Sequence, residues 1–361
     1  MFKRGFVLKI LIATQCFPPD LGGIEHVMGS IAIEASKAKH TVFVVSDKSK
    51  SPSNDFDDKN NYIIFRFGQI KYFRKLKKAN YINHLLATEN FDLIFFDSWK
   101  SLEHVDSTHQ SEKFVCLVHG NEILKDKNRD RVMKNMSKAK SIIFNSNATK
   151  LLFQKKYVSF KIKNSKVIYP AFISSIQKSD DKNKKYDFCT IGRLERRKGH
   201  QLILQALKKL RDTDNIVSKY AILGEGDELS RLKSEVLKYS LQNQVDFFIG
   251  EERGKILEQS KIHVMPTFLD GNSIEGFGIA NVEASAYGLP CIVSSSGGTQ
   301  ESISKNETGL VIQEKNIEQL YNAMKELITN KEKYMNYSSN SLTFARSFLK
   351  ENKVIEYLEI L

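Results

Sequence analysis

The chain has 361 residues, 41% hydrophobic and 27% charged, and this composition excludes an intrinsically disordered or fibrous protein. The formal net charge is +13, and 30 of the 55 basic but only 17 of the 42 acidic residues lie in residues 1–180. The first half therefore carries the whole excess, which indicates an anionic partner (nucleic acid, membrane surface or substrate) or a solvated lysine-rich surface.

Short apolar runs rich in Val, Ile and Phe alternate with helical periodicity in the first half. They predict strands at residues 8–14, 40–46, 62–67, 92–98, 113–119, 141–146 and 166–169. Helices are predicted between several of them, at residues 23–37 and 147–156 among others. Near-continuous apolar runs are typical of parallel strands covered on both faces.

A polar stretch at residues 170–185 predicts a linker, and the alternation restarts after it. The second half predicts strands at residues 186–192, 220–224, 245–249, 261–266, 290–294 and 309–312. Its predicted helices are residues 200–211, 228–239, 277–287, 317–328 and 341–361. The sequence thus predicts an α/β protein with two doubly wound domains and a cleft between them, with ligands at the carboxyl ends of the strands.

Two loops after predicted strands have residues suited to an anion. Gly22 and Gly23 precede the first helix, where glycines let the backbone approach a ligand, although such a pair is also an ordinary turn. Arg193 and Lys198 lie in the loop after residue 192, where a guanidinium and an ammonium beside helix N–H groups can hold a diphosphate. We interpret the neighbouring Arg196 and Arg197 as part of a solvated basic turn.

The most specific segment is EGFGIANVE, residues 275–283, which follows a strand and opens a helix. Its two carboxylates, Glu275 and Glu283, are eight residues apart, the second one or two turns into the helix. The two can therefore contact different parts of one ligand. The N–H groups of Phe277, Gly278 and Ile279 are available to a phosphate if the helix begins there.

His119, at the end of a first-half strand, is a candidate substrate contact or a structural histidine. The sequence has no nucleophile elbow, no HExxH motif and no acidic metal pair at a strand end, so we expect no metal and no cofactor. The four cysteines are far apart and form no CxxC pair, which suits a reducing compartment and predicts a cytoplasmic protein.

These motifs together resemble the retaining glycosyltransferases of family 4, which have the two-domain GT-B fold. The resemblance covers nearly the whole chain and rests on the residues Gly22-Gly23, His119-Gly120, Gly192–Gly199, Leu223–Gly226, Glu275–Glu283, Gly297-Gly298, Glu301 and Thr308–Leu310. It implies an acceptor-binding domain at residues 1–175, to which a C-terminal helix at 341–361 returns, and a nucleotide-sugar-binding domain at 176–340.

The resemblance also implies roles for single residues. Arg193 and Lys198 would hold the diphosphate, Glu275 the transferred sugar, and Glu283 the ribose hydroxyls. Gly22, Gly23 and the backbone of Phe277, Gly278 and Ile279 would contact the nucleotide-sugar. Gly224 and Gly226 would border the nucleoside pocket. His119 would contact the sugar.

The expected function is retaining transfer of a hexose-type sugar from a UDP- or GDP-sugar to a glycan or lipid-linked saccharide, in bacterial cell-surface polysaccharide or lipopolysaccharide synthesis. The alternatives are a GT-B epimerase or phosphorylase, or an inactive binding partner. The segment 71–78 mixes aromatic and cationic residues, as a segment on an anionic membrane surface would, and a solvated helix start is the alternative. The membrane interpretation would make the protein peripheral to the inner face of the plasma membrane. We expect no nucleic-acid partner, because no RNA-binding motif accompanies the charge.

Overall fold

The computed structural model describes residues 7–68, 70–177 and 184–360. The chain forms two compact units, of which unit 1 comprises the described residues up to Phe172 and those from Lys350 onward. Unit 2 comprises Ile173–Leu349. Residues 178–183 of the predicted linker lie outside the described residues.

Unit 1 contains a seven-stranded parallel sheet in the order β3-β2-β1-β4-β5-β6-β7. Its strands are β1 (Lys9–Ala13), β2 (Thr41–Asp47), β3 (Ile63–Phe67), β4 (Leu93–Phe96), β5 (Phe114–Val118), β6 (Ser141–Phe144) and β7 (Ser165–Val167). Its helices are α1 (Gly23–Lys37), α2 (Asn54–Asp58), α3 (Lys71–Thr88), α4 (Arg129–Met136) and α5 (Asn147–Lys156), with α12 (Lys350–Leu358) from the end of the chain.

Both faces of this sheet are covered, as the continuous apolar runs predicted. Successive side chains of a strand point to opposite faces. In β1, Leu11 and Ala13 join one core, and Ile10 and Ile12 join the other. The second core includes Tyr357 of α12, which stacks on Phe172 with ring centroids 5.6 Å apart. The last helix therefore belongs to unit 1.

Unit 2 contains a six-stranded parallel sheet in the order β10-β9-β8-β11-β12-β13. Its strands are β8 (Tyr186–Ile191), β9 (Tyr220–Leu223), β10 (Val245–Phe248), β11 (Ser260–Met265), β12 (Cys291–Ser294) and β13 (Gly309–Ile312). Its helices are α6 (His200–Asp214), α7 (Leu229–Lys238), α8 (Arg253–Glu258), α9 (Ile279–Ala286), α10 (Ile317–Thr329) and α11 (Lys331–Arg346).

The strand order reverses at one place in each sheet, between β1 and β4 in unit 1 and between β8 and β11 in unit 2. Loops leaving the carboxyl ends of the strands diverge at such a reversal and leave a crevice, which is where ligands bind in doubly wound folds. The loops after β8 and β11 contain Lys198 and Glu275, respectively.

The predicted helix at residues 341–361 is two helices in the structure. Arg346 ends α11 in unit 2, and Lys350 begins α12 in unit 1. Between them Phe348 is buried, and its backbone carbonyl accepts a hydrogen bond from the Ile173 nitrogen at 2.8 Å. This contact brings the two ends of unit 2 together, which the helical periodicity alone did not indicate.

Candidate active site

The loop between β8 and α6 brings two cations into the interior of unit 2. Arg196–Lys198 form a single turn of 3-10 helix, and Gly199, with a φ of 76°, is the N-cap of α6. A Cβ on Gly199 would lie 2.3 Å from the carbonyl oxygen of Pro266, so only glycine allows this approach to the end of β11. The side chains of Arg197 and Lys198 are buried as a result.

Both buried cations contact one carboxylate, that of Glu275. Its Oε2 atom lies 2.5 Å from Arg197 Nη1 and 2.6 Å from Lys198 Nζ. Burial alone would raise the pKa of Glu275, but the charges of Lys198 and Arg197 and their hydrogen bonds hold it well below its usual range. The structure thus brings together two of the predicted catalytic residues, Lys198 and Glu275, although 77 residues separate them.

Arg197 was interpreted as part of a solvated turn, and that interpretation is wrong. Its side chain is 6% exposed and contacts Glu195 at 2.9 Å as well as Glu275. Burial lowers the pKa of Arg197, but the two glutamates more than offset this effect and raise it. No feature of residues 192–199 indicates this burial, because the carboxylate that neutralises the arginine comes from a distant loop.

Arg193, the other predicted diphosphate ligand, lies apart from this cluster. Its side chain is 72% exposed, and its Nη1 atom is 2.6 Å from Glu195. Glu195 therefore bridges Arg193 on the surface and Arg197 in the interior. Because an exposed ion pair contributes little, the guanidinium of Arg193 can exchange Glu195 for another anion at small cost.

Two glycines of a neighbouring loop hold the backbone of Glu275. The Gly298 nitrogen donates a hydrogen bond to the Glu275 carbonyl oxygen at 3.0 Å. Gly297 has a φ of 58°, and a Cβ on it would lie 2.2 Å from that same oxygen. The Gly297-Gly298 pair thus positions the backbone at Glu275, and a larger residue at 297 would displace it.

We therefore expect Gly297→Ala to lower the melting temperature far more than Gly271→Ala. Both glycines have a left-handed φ, 58° and 55°, so both changes incur a conformational cost of about 1–2 kcal/mol. Only at Gly297 does the new methyl group also overlap a backbone oxygen, since nothing lies within 4 Å of a Cβ on Gly271. Thermal unfolding of the two variants checks this, and equal losses would contradict it.

The helix α9 starts directly behind Glu275. Gly278 is its N-cap with a φ of 99°, and Ile279 is its first residue, so the first N–H groups of α9 face outward from its N-terminus. Phe277 is buried and its ring packs on Phe348, 6.3 Å between centroids, so its side chain anchors the start of the helix. The predicted helix start at 277 is thus two residues early.

Glu283 lies on the second turn of α9. Both of its carboxylate oxygens are within 3.1 Å of Arg253 Nη1 at the start of α8. The side chain of Arg253 is 51% exposed and that of Glu283 is 19% exposed, so the carboxylate remains partly accessible. Glu283 therefore has a different partner from Glu275, which contacts Arg197 and Lys198.

A buried polar chain that the sequence did not indicate fastens α9 to the sheet. His263 of β11 accepts a hydrogen bond at Nε2 from the Ile191 nitrogen, 3.3 Å, and so donates from Nδ1 to Asn281 Oδ1, 2.9 Å. The Asn281 amide donates to Ser302 Oγ at 2.7 Å. Burial lowers the pKa of His263 to about 4, which keeps the ring neutral. This series of hydrogen bonds fixes the position of α9 relative to β8 and β11.

Gly224 and Gly226 lie where the loop after β9 touches the loop after β8. Cβ atoms on them would lie 1.9 Å from the carbonyl oxygen of Gly192 and 2.4 Å from that of Leu194. Both positions therefore require glycine because two backbone segments meet there. The glycines border the loop that contains Lys198, and their predicted contact with a nucleoside stays a prediction.

In unit 1, Gly22 is the N-cap of α1 and Gly23 its first residue. Gly22 is extended, with a φ of 169°, and a Cβ on it would meet only the flexible end of Glu25. The glycine that packing requires is Gly29, where a Cβ would lie 2.5 Å from Pro18 Cγ. The local packing therefore does not require glycine at position 22, and the predicted ligand contacts of Gly22 and Gly23 stay a prediction.

His119 follows β5, and its ring is held from one side. Its Nε2 atom lies 2.9 Å from the carbonyl oxygen of Asp97, which can only accept, so this nitrogen carries the proton. The His119 nitrogen donates to Glu122 Oε1 at 2.6 Å, and the Asn145 amide donates to the His119 carbonyl oxygen at 3.0 Å. These contacts orient a partly buried imidazole at the carboxyl edge of the unit 1 sheet.

Residues 172–343 match the family of Glycosyl transferases group 1, and residues 21–172 match Glycosyltransferase Family 4. The chain belongs to the family 4 glycosyltransferases. The two matches meet at residue 172, where the structure also passes from unit 1 to unit 2.

Several curated glycosyltransferases are similar over most of the chain. An uncharacterized glycosyltransferase of Methanocaldococcus jannaschii is 24% identical over 347 residues, 86% of each chain. A GDP-mannose-dependent alpha-(1-6)-phosphatidylinositol monomannoside mannosyltransferase of Mycobacterium tuberculosis is 22% identical over 350 residues, 90% of each chain. Human alpha-1,3/1,6-mannosyltransferase ALG2 is 28% identical over 276 residues, 66% of this chain and 65% of that one.

Solved structures confirm the fold. Anabaena HepE in complex with UDP superimposes with a TM-score of 0.78 at 17% identity, covering 98% of this glycosyltransferase and 100% of HepE. Sucrose-phosphate synthase from Thermosynechococcus elongatus gives 0.77 at 17% identity, with 98% of both chains covered. The predicted GT-B architecture of two Rossmann-like domains is therefore confirmed.

Proposed function

We propose that this glycosyltransferase transfers a hexose-type sugar, with retention of configuration, from a UDP- or GDP-sugar bound by unit 2. The observation that carries the proposal is the cluster of Lys198, Arg197 and Glu275 beside the N-terminus of α9. Cations and helix N–H groups stabilise the charge that develops on a departing diphosphate. A carboxylate beside them suits the hydroxyl groups of the attached sugar.

The similar proteins support a nucleotide-sugar donor. The mycobacterial relative is GDP-mannose-dependent, and HepE structures contain UDP, UDP with glucose, or UDP-glucose. Proteins similar to this chain use or contain either GDP or UDP, so their names do not decide which nucleotide this chain binds. Binding measurements with both nucleotides decide it. We assign Glu283 to the ribose hydroxyls, because its carboxylate is partly accessible on α9.

In the proposed mechanism the acceptor hydroxyl attacks the anomeric carbon from the face that the diphosphate leaves. The bond from that carbon to the β-phosphate oxygen breaks, and the hydroxyl proton passes to the leaving phosphate oxygen. Lys198 and Arg193 hold the diphosphate, and the N–H groups at Phe277–Ile279 contact phosphate and sugar oxygens. Glu275, kept ionised by Arg197 and Lys198, accepts hydrogen bonds from the sugar. We keep Gly22, Gly23 and His119 as proposed nucleotide-sugar contacts, and Gly224 and Gly226 as the proposed border of the nucleoside pocket.

We propose that transfer needs no metal, because the cations of the chain can neutralise the diphosphate. Among the residues that the structure describes, no three His, Cys, Asp or Glu side chains are grouped so that they could bind one. Transfer that survives dialysis against a chelator is the expected result, and activity restored only by a divalent cation would contradict it.

A thermal-shift screen tests the donor assignment. A ligand that binds the native state raises the apparent stability by mass action. In a screen of UDP, GDP, ADP and their nucleotide-sugars, one nucleotide and its sugar conjugates should therefore raise the melting temperature of the wild type. Glu283→Ala should lose most of that rise without a loss of stability, because its partner Arg253 is half-exposed. If no nucleotide raises the melting temperature, the proposal is wrong.

We propose a glycan or lipid-linked saccharide as the acceptor, in bacterial cell-surface polysaccharide synthesis. Two similar proteins support this setting. The putative colanic acid glycosyltransferase WcaL of Escherichia coli is 26% identical over 133 residues, 36% of this chain and 32% of that one. The lipopolysaccharide outer core galactosyltransferase WaaB superimposes with a TM-score of 0.72 at 14% identity, over 98% and 99% of the two chains.

We also propose that unit 1 lies on an anionic membrane surface through the outer face of α3. Residues Ile70, Tyr72 and Phe73 are 75%, 62% and 57% exposed, next to the exposed Lys71 and Lys77. Exposed aromatic and cationic side chains at one end of a helix are typical of an interfacial contact. The described helices include none with the length and apolar character to span a bilayer.

Tyr72→Ser combined with Phe73→Ser is expected to lower the affinity for anionic phospholipid vesicles at least tenfold, since burying one such side chain stabilises by about 1.5–3 kcal/mol. Co-sedimentation with the vesicles measures this. Leu151→Ser combined with Val158→Ser removes two apolar side chains that are 65% and 81% exposed elsewhere in unit 1, and is the matched control. Equal binding by both double variants would contradict the assignment.

A further inference from the structure

The inner face of α3 lines a pocket at the carboxyl edge of the unit 1 sheet. Gln15 follows β1, Asp47 ends β2, and Lys100 with Ser101 follow β4. The first two turns of α3 close the pocket with Lys71, Arg74, Lys75 and Lys78. The pocket thus adjoins the strand reversal between β1 and β4, which is the place where doubly wound sheets bind ligands.

The pocket is strongly cationic. Five of its lining side chains are Lys or Arg, and two are carboxylates, Asp47 and Glu103. Asp47 contacts Lys78 at 2.6 Å and Arg74 at 3.0 Å, and Glu103 contacts Lys75 at 2.7 Å. Burial alone would raise the pKa of Glu103, but hydrogen bonds from Lys75 and Arg131 and their charges lower it, so its carboxylate stays ionised. Even so, the cations exceed the carboxylates by three.

The position of these cations on α3 is unfavourable for the isolated helix. The N-terminus of a helix carries a partial positive charge and favours acidic side chains in its first turn. The first turn of α3 has no acidic residue, and it begins with Lys71 and reaches Arg74 and Lys75 on its next turn. An anion bound in the pocket would stabilise both the helix terminus and the side-chain charges.

We infer that this pocket binds an oxyanion of the acceptor, a phosphate or a carboxylate, through Lys71 and Lys100. This inference rests on the proposed function, which assigns the donor diphosphate to unit 2 and leaves the acceptor to unit 1. Two sources share this chemistry: the diphosphate of a lipid carrier and the carboxylate of an acidic sugar. Arg74, Lys75 and Lys78 set the potential of the pocket while they hold Asp47 and Glu103.

The single tryptophan provides a probe of this pocket. Trp99 is buried next to Lys100, whose Nζ atom lies 5.9 Å from the centroid of the indole ring. An anion that draws the Lys100 ammonium into the pocket changes the charge beside the ring. Tryptophan fluorescence therefore reports on unit 1 alone, even when an anion also binds to unit 2.

The test titrates inorganic diphosphate and glucuronate separately into Lys198→Met protein, in which the proposed donor site is weakened. We expect a saturable change of Trp99 fluorescence, with affinity at least tenfold lower after Lys71→Gln combined with Lys100→Gln. Lys59→Gln, which removes an exposed lysine elsewhere in unit 1, should leave it unchanged. Saturation by diphosphate identifies a lipid diphosphate as the source, and saturation by glucuronate an acidic sugar.

The inference is overturned if neither anion gives a saturable change, or if the double variant binds as tightly as its parent. A second protein, which has Lys71→Gln and Lys100→Gln but keeps Lys198, is tested for nucleotide binding. Its result separates a failure of the pocket assignment from a failure of the proposed function. Unchanged nucleotide binding together with lost anion binding supports both the donor site and the pocket. Loss of nucleotide binding in every variant and in the wild type would refute the proposed function instead.

Discussion

Lys198→Met is expected to lower the rate of sugar transfer about 10²–10³-fold, the usual loss when one group that stabilises the transition state is removed. The ammonium of Lys198 lies 2.6 Å from Glu275 in a buried site, where a charge acts on the departing diphosphate with little screening. Methionine fills a similar volume without the charge. The measurement is release of nucleoside diphosphate from the donor that the thermal-shift screen identifies.

The control for this variant is Lys208→Met, which removes an exposed lysine of α6 whose partner is Asp212 at i+4. Such a pair contributes about 0.3–0.5 kcal/mol, so this variant should keep wild-type activity and stability. Far-ultraviolet circular dichroism separates a loss of activity from a loss of fold. Wild-type turnover by folded Lys198→Met protein would remove the lysine from the mechanism.

Glu275→Gln is expected to reduce the free energy of unfolding by about 3–5 kcal/mol, since it leaves two buried cations without the negative charge that they share. Arg197 keeps its ion pair with Glu195, but among the described residues no other carboxylate pairs with Lys198. Chemical denaturation of the full chain measures the change. Glu283→Gln is the matched control from the same segment, and it should cost no more than about 1 kcal/mol because Arg253 is half-exposed.

The same substitution should change how stability depends on pH. Because the folded-state pKa of Glu275 lies below its ordinary value of 4.5, the unfolded chain takes up this proton first as the pH falls. The stabilisation is therefore present above about pH 4.5 and is lost as the pH falls toward the folded-state pKa. We expect the difference in free energy of unfolding between wild type and Glu275→Gln to become smaller over that pH range. A difference that stays constant with pH would contradict the buried ion pair.

The fold could be predicted from the sequence because both sheets are parallel and covered on both faces. Most strands then have a nearly continuous apolar run, and each of the thirteen predicted strands overlaps an observed one. Helices were less certain: α3 has many charged residues, and its first turns at 71–78 suggested either an interfacial segment or a solvated helix start. The break between α11 and α12 depends on Phe348 packing in unit 2, which periodicity does not report.

The candidate site was predicted in part, for a physical reason. Lys198 and Glu275 each follow a strand, and adjacent parallel strands bring such residues to one edge, so position along the elements was sufficient. The environments of Arg197 and His263 could not be predicted in the same way, because their partners lie in other elements: Glu275 in the loop after β11, and Asn281 on α9. The inward turn of Arg74, Lys75 and Lys78 likewise depends on Asp47 and Glu103 at other strand ends.

We propose that the carboxyl edge of the unit 2 sheet binds a nucleoside diphosphate through Lys198 and Glu283. Calorimetric titration of UDP and GDP into wild type, Lys198→Met and Glu283→Ala measures this binding. We expect one of the two nucleotides to bind the wild type, and to bind each variant at least tenfold more weakly. Binding of equal strength in all three proteins, or no binding to the wild type, would contradict it.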